Sequence, residues 1–255
     1  MTPASPTPGK TPTRHGIARV LSKMGLCSRT QGARWVGEGR VRVNGQVVHD
    51  PEFPVLQGQD RVDVDGQAPS AAGRLVVMLN KPRGLVTTTR DEQQRATVYD
   101  CFAGASLPWM APVGRLDKAS EGLLLFSNDP AWAAGITDPG TGPDKTYHVQ
   151  VDTLPGDELL AALVQGVQVD DRHLSVASAR CLRAGDRHAW LEIVLDEGRN
   201  RQIRRLLAAL DVAVLRLVRV AIGPLALGDL GKGQWRPLDA REVESLGAGE
   251  RRRSS

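Results

Sequence analysis

The apolar positions divide the chain into segments before any other property is considered. Ile17, Val20 and Leu21 recur at helical spacing, and Gly25 stands where that helix would stop. Ser28 is placed to cap a second helix carrying Ala33, Trp35 and Val36, with Gly37 or Gly39 at its end. Val41, Val43, Val47 and Val48 then flank Asn44-Gly45, a pair that favours the type I′ turn of a hairpin. Residues 61–65 alternate as one more short strand. Together these segments predict a helix-helix-hairpin module over 15–66. The run Gln67-Ala68-Pro69-Ser70-Ala71-Ala72-Gly73 is small and uncharged and reads as a linker, 67–73. Beyond it, 75–79, 122–126, 146–151, 189–195 and 214–220 read as strands, and 157–165 and 200–210 as helices. Hairpin-length connections predict a mixed, mainly antiparallel sheet. The expected fold is α+β, the larger unit covering 74–246, with disordered tails at 1–14 and 247–255.

Composition narrows the class. With 255 residues, 41% of them hydrophobic, the chain can bury a core without disulfides or metals. No apolar run approaches the roughly 18–20 residues of a membrane span, so no membrane association is expected. The first fourteen residues lack an apolar stretch, so no secretory signal is expected. Cys27, Cys101 and Cys181 are odd in number and far apart, which indicates neither a disulfide framework nor a zinc site. A reduced, cytoplasmic protein is expected.

The net charge of +4 is modest, but its distribution is uneven. Arg19, Lys23, Arg29, Arg34, Arg40 and Arg42 face only Glu38 between Gly16 and His49. Arg199, Arg201, Arg204, Arg205, Arg216 and Arg219 face only Asp211 in the second cluster. Two basic patches suggest a polyanion gripped in two places.

The small module resembles the S4 RNA-binding domain. The resemblance rests on Gly25-Leu26-Cys27-Ser28-Arg29 and on Gly39-Arg40-Val41-Arg42-Val43-Asn44-Gly45. It implies that Lys23, Arg29, Arg34, Arg40 and Arg42 contact RNA phosphates. Few aromatics accompany these arginines, which favours structured RNA over stacked single strands.

Three further segments could carry chemistry. Asp117 lies in Gly114-Arg115-Leu116-Asp117-Lys118-Ala119-Ser120-Glu121-Gly122, a glycine-flanked loop leading into an apolar strand. Tyr147 lies in Lys145-Thr146-Tyr147, at the start of a strand. Arg201, Arg204 and Arg205 fall to one side of a helix whose apolar stripe is Ile203, Leu206, Leu207 and Leu210. Taken singly, each has a bland reading: a turn aspartate, a half-buried core tyrosine, a solvated helix face.

Taken together with Asn80-Lys81-Pro82-Arg83-Gly84, and in this order, these segments resemble the RsuA/RluB/RluE/RluF group of ribosomal RNA pseudouridine synthases, in which an N-terminal S4 domain is common. The resemblance covers roughly residues 16–245. It implies a central cleft holding Asp117 as the catalytic aspartate, Tyr147 against the target base, and Arg204 paired with the aspartate. It makes Arg115, Arg201 and Arg205 RNA contacts and gives Lys81 and Pro82 a supporting role. Isomerising uridine needs no redox step, so neither cofactor nor metal is expected. An ionised carboxylate beside the nucleotide is required, and a neighbouring cation favours that charged form. Addition of the aspartate to C6 of the base and action at the sugar both remain open. The target base must be flipped or already unpaired. The resemblance implies a monomer acting on ribosomal RNA or an assembly intermediate, with a lean to the large subunit. The other reading is a non-catalytic ribosome assembly factor. Ser120, where threonine is frequent, and Leu210-Asp211-Val212, where glycine often ends the helix, depart from the group's pattern.

Overall fold

The computed structural model describes residues 13–68, 73–89 and 91–247. Of the tails expected to be disordered at 1–14 and 247–255, residues 1–12 and 248–255 lie outside these, as do linker residues 69–72; Gly247 is instead the last residue of a helix. The chain divides into two units between Gly73 and Arg74.

In the first unit, β1 (His15–Gly16) leads into α1 (Ile17–Lys23) and α2 (Arg29–Gly37). Ile17, Ala18, Val20 and Leu21 are the buried side of α1, and Gly25 ends it with a left-handed φ of 71°. Ser28 caps α2, its Oγ accepting from the Gln31 N–H at 3.1 Å. The helices pack closely at Gly32, where a Cβ would come within 3.2 Å of the Ala18 carbonyl. β2 (Val41–Val43), β3 (Gln46–Val47) and β5 (Val62–Val64) form an antiparallel sheet with β2 in the centre, and β4 (Pro54–Val55) pairs with β1. Asn44 and Gly45 both have positive φ, 51° and 83°, as a type I′ turn demands. Asp65 and Gly66 make a second such turn, from which Gln67 pairs back to Val64. Ile17, Val20, Leu21, Cys27 and Val36 form one core with Val41, Val43, Val48, Val55 and Val62.

The second unit is built on one sheet. Its strands are β6 (Val76–Lys81), β7 (Ala111–Val113), β8 (Glu121–Ser127), β9 (Lys145–Val151), β12 (Ser178–Ala184), β13 (Ala189–Leu195), β14 (Val214–Ile222), β15 (Leu225–Ala226) and β16 (Trp235–Pro237). The main order is β12-β13-β9-β14-β8-β6-β16, with β15 on β14 and β7 on β8. The β14–β8 pair is parallel and the other pairs are antiparallel, so the sheet is mixed and mainly antiparallel. A separate hairpin, β10 (Val167–Val169) with β11 (Arg172–Leu174), follows α4 (Asp157–Gln165). All seven residues of β8 are buried, because both faces of the sheet are covered there. Leu124 and Phe126 join Val77 and Leu79 in the core on one face. Leu123 and Leu125 join Val76 and Met78 on the other, together with α3 (Pro130–Thr137) and Leu246 of α6 (Ala240–Gly247).

The helix expected over 200–210 begins later, as α5 (Gln202–Ala209). Arg201 at its N-cap takes a left-handed φ of 51°, so the chain turns before the helix starts. The apolar pattern did not foresee α3, β7, β10, β11, β12, β16 or α6. β12 is an edge strand with most residues exposed, so it carries no alternating apolar code. For α3 a signal existed, since Asp129 caps the helix with Pro130 in its first turn.

Candidate active site

Asp117 lies on the loop that joins β7 to β8. Gly114 and Gly122, both with positive φ (74° and 101°), bracket it. Gly122 has a second reason to be glycine. Where β8 meets β14 in parallel, a Cβ at Gly122 would collide with the main-chain carbonyl of Arg219.

The loop backbone is fastened along its length. Thr87 Oγ1 donates to the Leu116 carbonyl at 2.7 Å. The Gly84 N–H donates to the Lys118 carbonyl at 2.7 Å, and the Ser120 N–H to that of Asp117 at 3.0 Å. Arg204 Nη2 donates to the Ala119 carbonyl at 3.2 Å. Lys81 Nζ donates to the carbonyls of Pro82, Asp117 and Ser120 at 3.1, 3.2 and 2.8 Å. Every carbonyl from Leu116 to Ser120 therefore has a donor, and the half-buried Asp117 carboxylate is presented by a preorganised frame. Lys81 is fully buried. Burial pushes its pKa down to about 8, against the pull of the Asp117 and Glu121 charges.

Asp117, Tyr147 and Arg204 border one cavity of about 770 Å³, between this loop, the starts of β9 and α5, and the middle of β14. Tyr147 is 8% exposed and stands opposite Arg219 in the β9–β14 register. Arg115 and Arg201 border the same cavity. Arg205 does not. One residue further round the helix, it turns to the β10–β11 hairpin, with Nη2 2.9 Å from Asp170 Oδ2. The resemblance implied that Arg204 pairs with Asp117. The structure gives a looser link, in which the guanidinium bonds the Ala119 carbonyl and interacts with Asp117 through charge alone. Burial lowers the pKa of Arg204, and the Asp117 charge opposes that.

The cavity is electropositive. Arg115, Lys145, Arg199, Arg201, Arg204 and Arg219 border it, against Asp117 and Glu197. Glu197 is already engaged by Arg199 Nε at 2.8 Å and Gln202 Nε2 at 3.2 Å. Sequence reasoning counted Arg219 only within the second basic patch and gave Lys145 no role. Lys145 has a lowered pKa, first from burial and then from the Arg219 charge. The signal for Arg219 was present: an arginine at an inward position of an apolar strand, two residues after Leu217. Beneath the site, Glu121 is 3% exposed and holds Arg216 through two 3.0 Å hydrogen bonds and Lys232 at 2.8 Å. Burial works to raise its pKa, but these two cations outweigh it and the net direction is down.

In the first unit Arg29, Arg34 and Arg42 are exposed and Lys23 is half-buried. Arg34 is within 3.5 Å of Glu38. Arg40 is tied down by Asp65 at 2.6 Å and lies over the Trp35 ring at 5.1 Å. Among the described residues no cluster of His, Cys, Asp and Glu could hold a metal ion, and no helix is long and apolar enough to cross a membrane.

Comparison with known proteins identifies both units. Residues 16–62 match the S4 domain, and 75–209 match the RNA pseudouridylate synthase family. The ribosomal large subunit pseudouridine synthase B of Bacillus subtilis is 33% identical over 235 residues, covering 91% of this chain and 95% of that protein. The protein of the same name from Pseudomonas aeruginosa is 33% identical over 242 residues, covering 92% of this chain and 62% of its own length. A crystal structure of a pseudouridylate synthase superposes with a TM-score of 0.64 at 27% identity, covering 92% of this chain and 99% of the other. A fastened aspartate loop, a cationic cavity and an S4 unit ahead of them are thus those of a pseudouridine synthase, and the chain belongs to the RNA pseudouridylate synthase family.

Proposed function

We propose that this protein isomerises a uridine of ribosomal RNA to pseudouridine, with Asp117 as the catalytic carboxylate. The observation that carries this reading is that Asp117, Tyr147 and Arg204, distant in the chain, border one cationic cavity. In the reaction the N1–C1′ bond breaks, the base turns, C5 bonds to C1′, and the C5 proton is lost as N1 regains one. The carboxylate serves this by adding to C6 of the base or by acting at the sugar, and both routes need it beside the N1–C1′ bond. Tyr147, nearly buried at the cavity wall, packs on the base. Arg204 keeps a cation close to the carboxylate through the reaction. No cofactor or metal takes part.

Two relatives named for the large ribosomal subunit support large-subunit RNA, or an assembly intermediate containing it, as the substrate. We assign 15–66 to RNA binding, 67–73 to a linker and 74–246 to catalysis, in a cytoplasmic monomer. Lys23, Arg29, Arg34 and Arg42, with Arg115 and Arg201, contact phosphates. Arg40 and Arg205 have protein partners at hand and contribute less.

The test uses unmodified ribosomal RNA transcripts carrying tritium at uridine C5. Release of tritium to water by the native protein, and none by Asp117→Asn, is the expected result. Binding by both proteins with release by neither would overturn the reading in favour of a non-catalytic assembly factor.

A further inference from the structure

Three buried side-chain polar atoms lack a hydrogen-bond partner among the described residues: Trp132 Nε1, Arg204 Nε and Arg219 Nη2. Two of the three belong to arginines bordering the Asp117 cavity. A buried donor left unpaired is destabilising, and more so on a charged group. Two such donors at one cavity point to acceptors that a ligand brings.

Arg204 already has a place in the proposed reaction; Arg219 has none. It is 5% exposed, and its position is closely determined. Its Nε donates to the Leu123 carbonyl at 2.7 Å. Its backbone approaches Gly122 too closely for any side chain there. Across the sheet it stands opposite Tyr147. Lys145, a second and largely buried cation, borders the same cavity and feels the Arg219 charge, with the Asp144 and Asp196 charges opposing it. Leu195, Leu217 and Ile222 complete this part of the cavity. With Nε engaged, the side-on fork that grips a phosphate is incomplete. Apolar walls and an adjacent tyrosine suit the flat edge of a base better than a phosphate.

We infer that Arg219 is a specificity-determining residue, whose guanidinium donates a hydrogen bond to a ring carbonyl oxygen of the uracil held against Tyr147. The inference rests on the proposed reaction on uridine. It assigns to one side chain the recognition of an oxygen that a pyrimidine bearing an amino group at that position lacks.

The test measures binding of uridine 5′-monophosphate and its 2-thio and 4-thio analogues to the full-length protein, in the native form and as Arg219→Met and Arg219→Lys. Sulfur is a poor hydrogen-bond acceptor. The native protein is expected to bind one thio analogue about tenfold or more weakly than the oxo form, the scale of a charge-assisted hydrogen bond. Both variants lose that preference. Arg219→Lys keeps a charge and a donor for the Leu123 carbonyl, but it has one nitrogen where arginine has three: seated at that carbonyl, it leaves the position of Nη2, and the donor offered to the ligand there, empty. A merely structural Arg219 would weaken all three nucleotides alike and leave their ratio unchanged. A native ratio near one, or a preference that survives in Arg219→Lys, overturns the inference. Tritium release from the transcripts is scored separately. A native protein that releases none refutes the reaction, while the oxo-to-thio ratio still judges Arg219.

Discussion

The Lys81 ammonium donates to the main-chain carbonyl of Asp117 at 3.2 Å, so the residue proposed for chemistry is held by a buried cation through its backbone. The carboxylate itself stays free to face the cavity. The same ammonium reaches the Pro82 and Ser120 carbonyls, and so anchors both ends of the Asp117–Ser120 turn.

That arrangement makes activity and stability respond oppositely to alkali. The ammonium of Lys81 supplies three donors, and its pKa is about 8 against 10.5 for a free lysine. Below pH 8 both folded and unfolded chains hold the proton, and the cost of burying the charge is present in full. Between about 8 and 10.5 the folded chain releases the proton while the unfolded chain keeps it, so this group's contribution to stability rises with pH. The neutral amine has only two N–H groups, so the loop loosens and kcat falls over the same window. Parallel pH profiles of tritium release and of urea midpoint check this; a kcat flat from pH 7 to 10 refutes it.

Replacing Lys81 by methionine removes all three bonds; the Pro82 and Ser120 carbonyls lose this donor inside the protein, while that of Asp117 keeps the Ser120 N–H. Stability is expected to fall by about 2–4 kcal/mol at pH 7, with a larger loss in kcat than in RNA affinity. Urea denaturation and filter binding on the same preparation give the two numbers. The alkaline limb of the activity profile disappears in this variant, because the group that titrates is gone.

Gly122→Ala tests the close approach of β8 to β14. The new Cβ meets the Arg219 main chain, and the φ of 101° is itself costly for alanine. A loss of about 3 kcal/mol or more is expected from the two effects. Gly135, with open space around it, serves as the control: alanine there leaves the melting temperature within a few degrees of native. Equal effects at both glycines would remove the steric argument.

Arg204→Met leaves the Ala119 carbonyl without its side-chain donor and removes the cation that interacts with Asp117. The expected result is a fall in single-turnover rate of about 10²-fold, with RNA affinity changed by no more than about threefold. Loss of binding to the same degree as loss of rate would instead place Arg204 among the RNA contacts.

The basic residues of the S4 unit should separate into two kinds. Arg29→Ala and Arg42→Ala, at exposed positions without ion pairs among the described residues, each lower the salt slope of RNA binding by about 0.7–0.9. Arg40→Ala breaks the bidentate contact with Asp65 and uncovers Trp35, so it changes the melting temperature more than the slope. A full unit of slope lost at Arg40 would show that it releases Asp65 to bind RNA.

Where information is local, the sequence was enough. Ser28 caps its helix and Asn44-Gly45 makes its turn because the preferences of those residues act within three or four positions. The apolar alternation of β9 and β13 foretold strands that run as expected, since one face of each packs on the core. The edge strand β12 lacked that pattern because most of its residues are exposed and little of it packs on the core. Asp117, Tyr147 and Arg204 were legible as a set only through their resemblance to a family; their spacing alone allowed bland readings of each.

The sequence by itself determined the elements with a clear apolar period or cap and the positive character of the two patches, which follow from residue type and short-range order; the family was legible through the resemblance of its motifs. Tertiary structure decided what each charge does. Arg40, Arg204, Arg205 and Arg219 are the same residue type in basic surroundings, yet one is paired with Asp65, one supports the aspartate loop, one is held by Asp170, and one is buried opposite Tyr147. Those differences depend on strand register and on contacts between segments far apart in the chain. Pairing β9 with β14 at Tyr147 and Arg219 exists only once the sheet has formed, because a hydrogen-bonded ladder between distant strands sets which side chains share a wall.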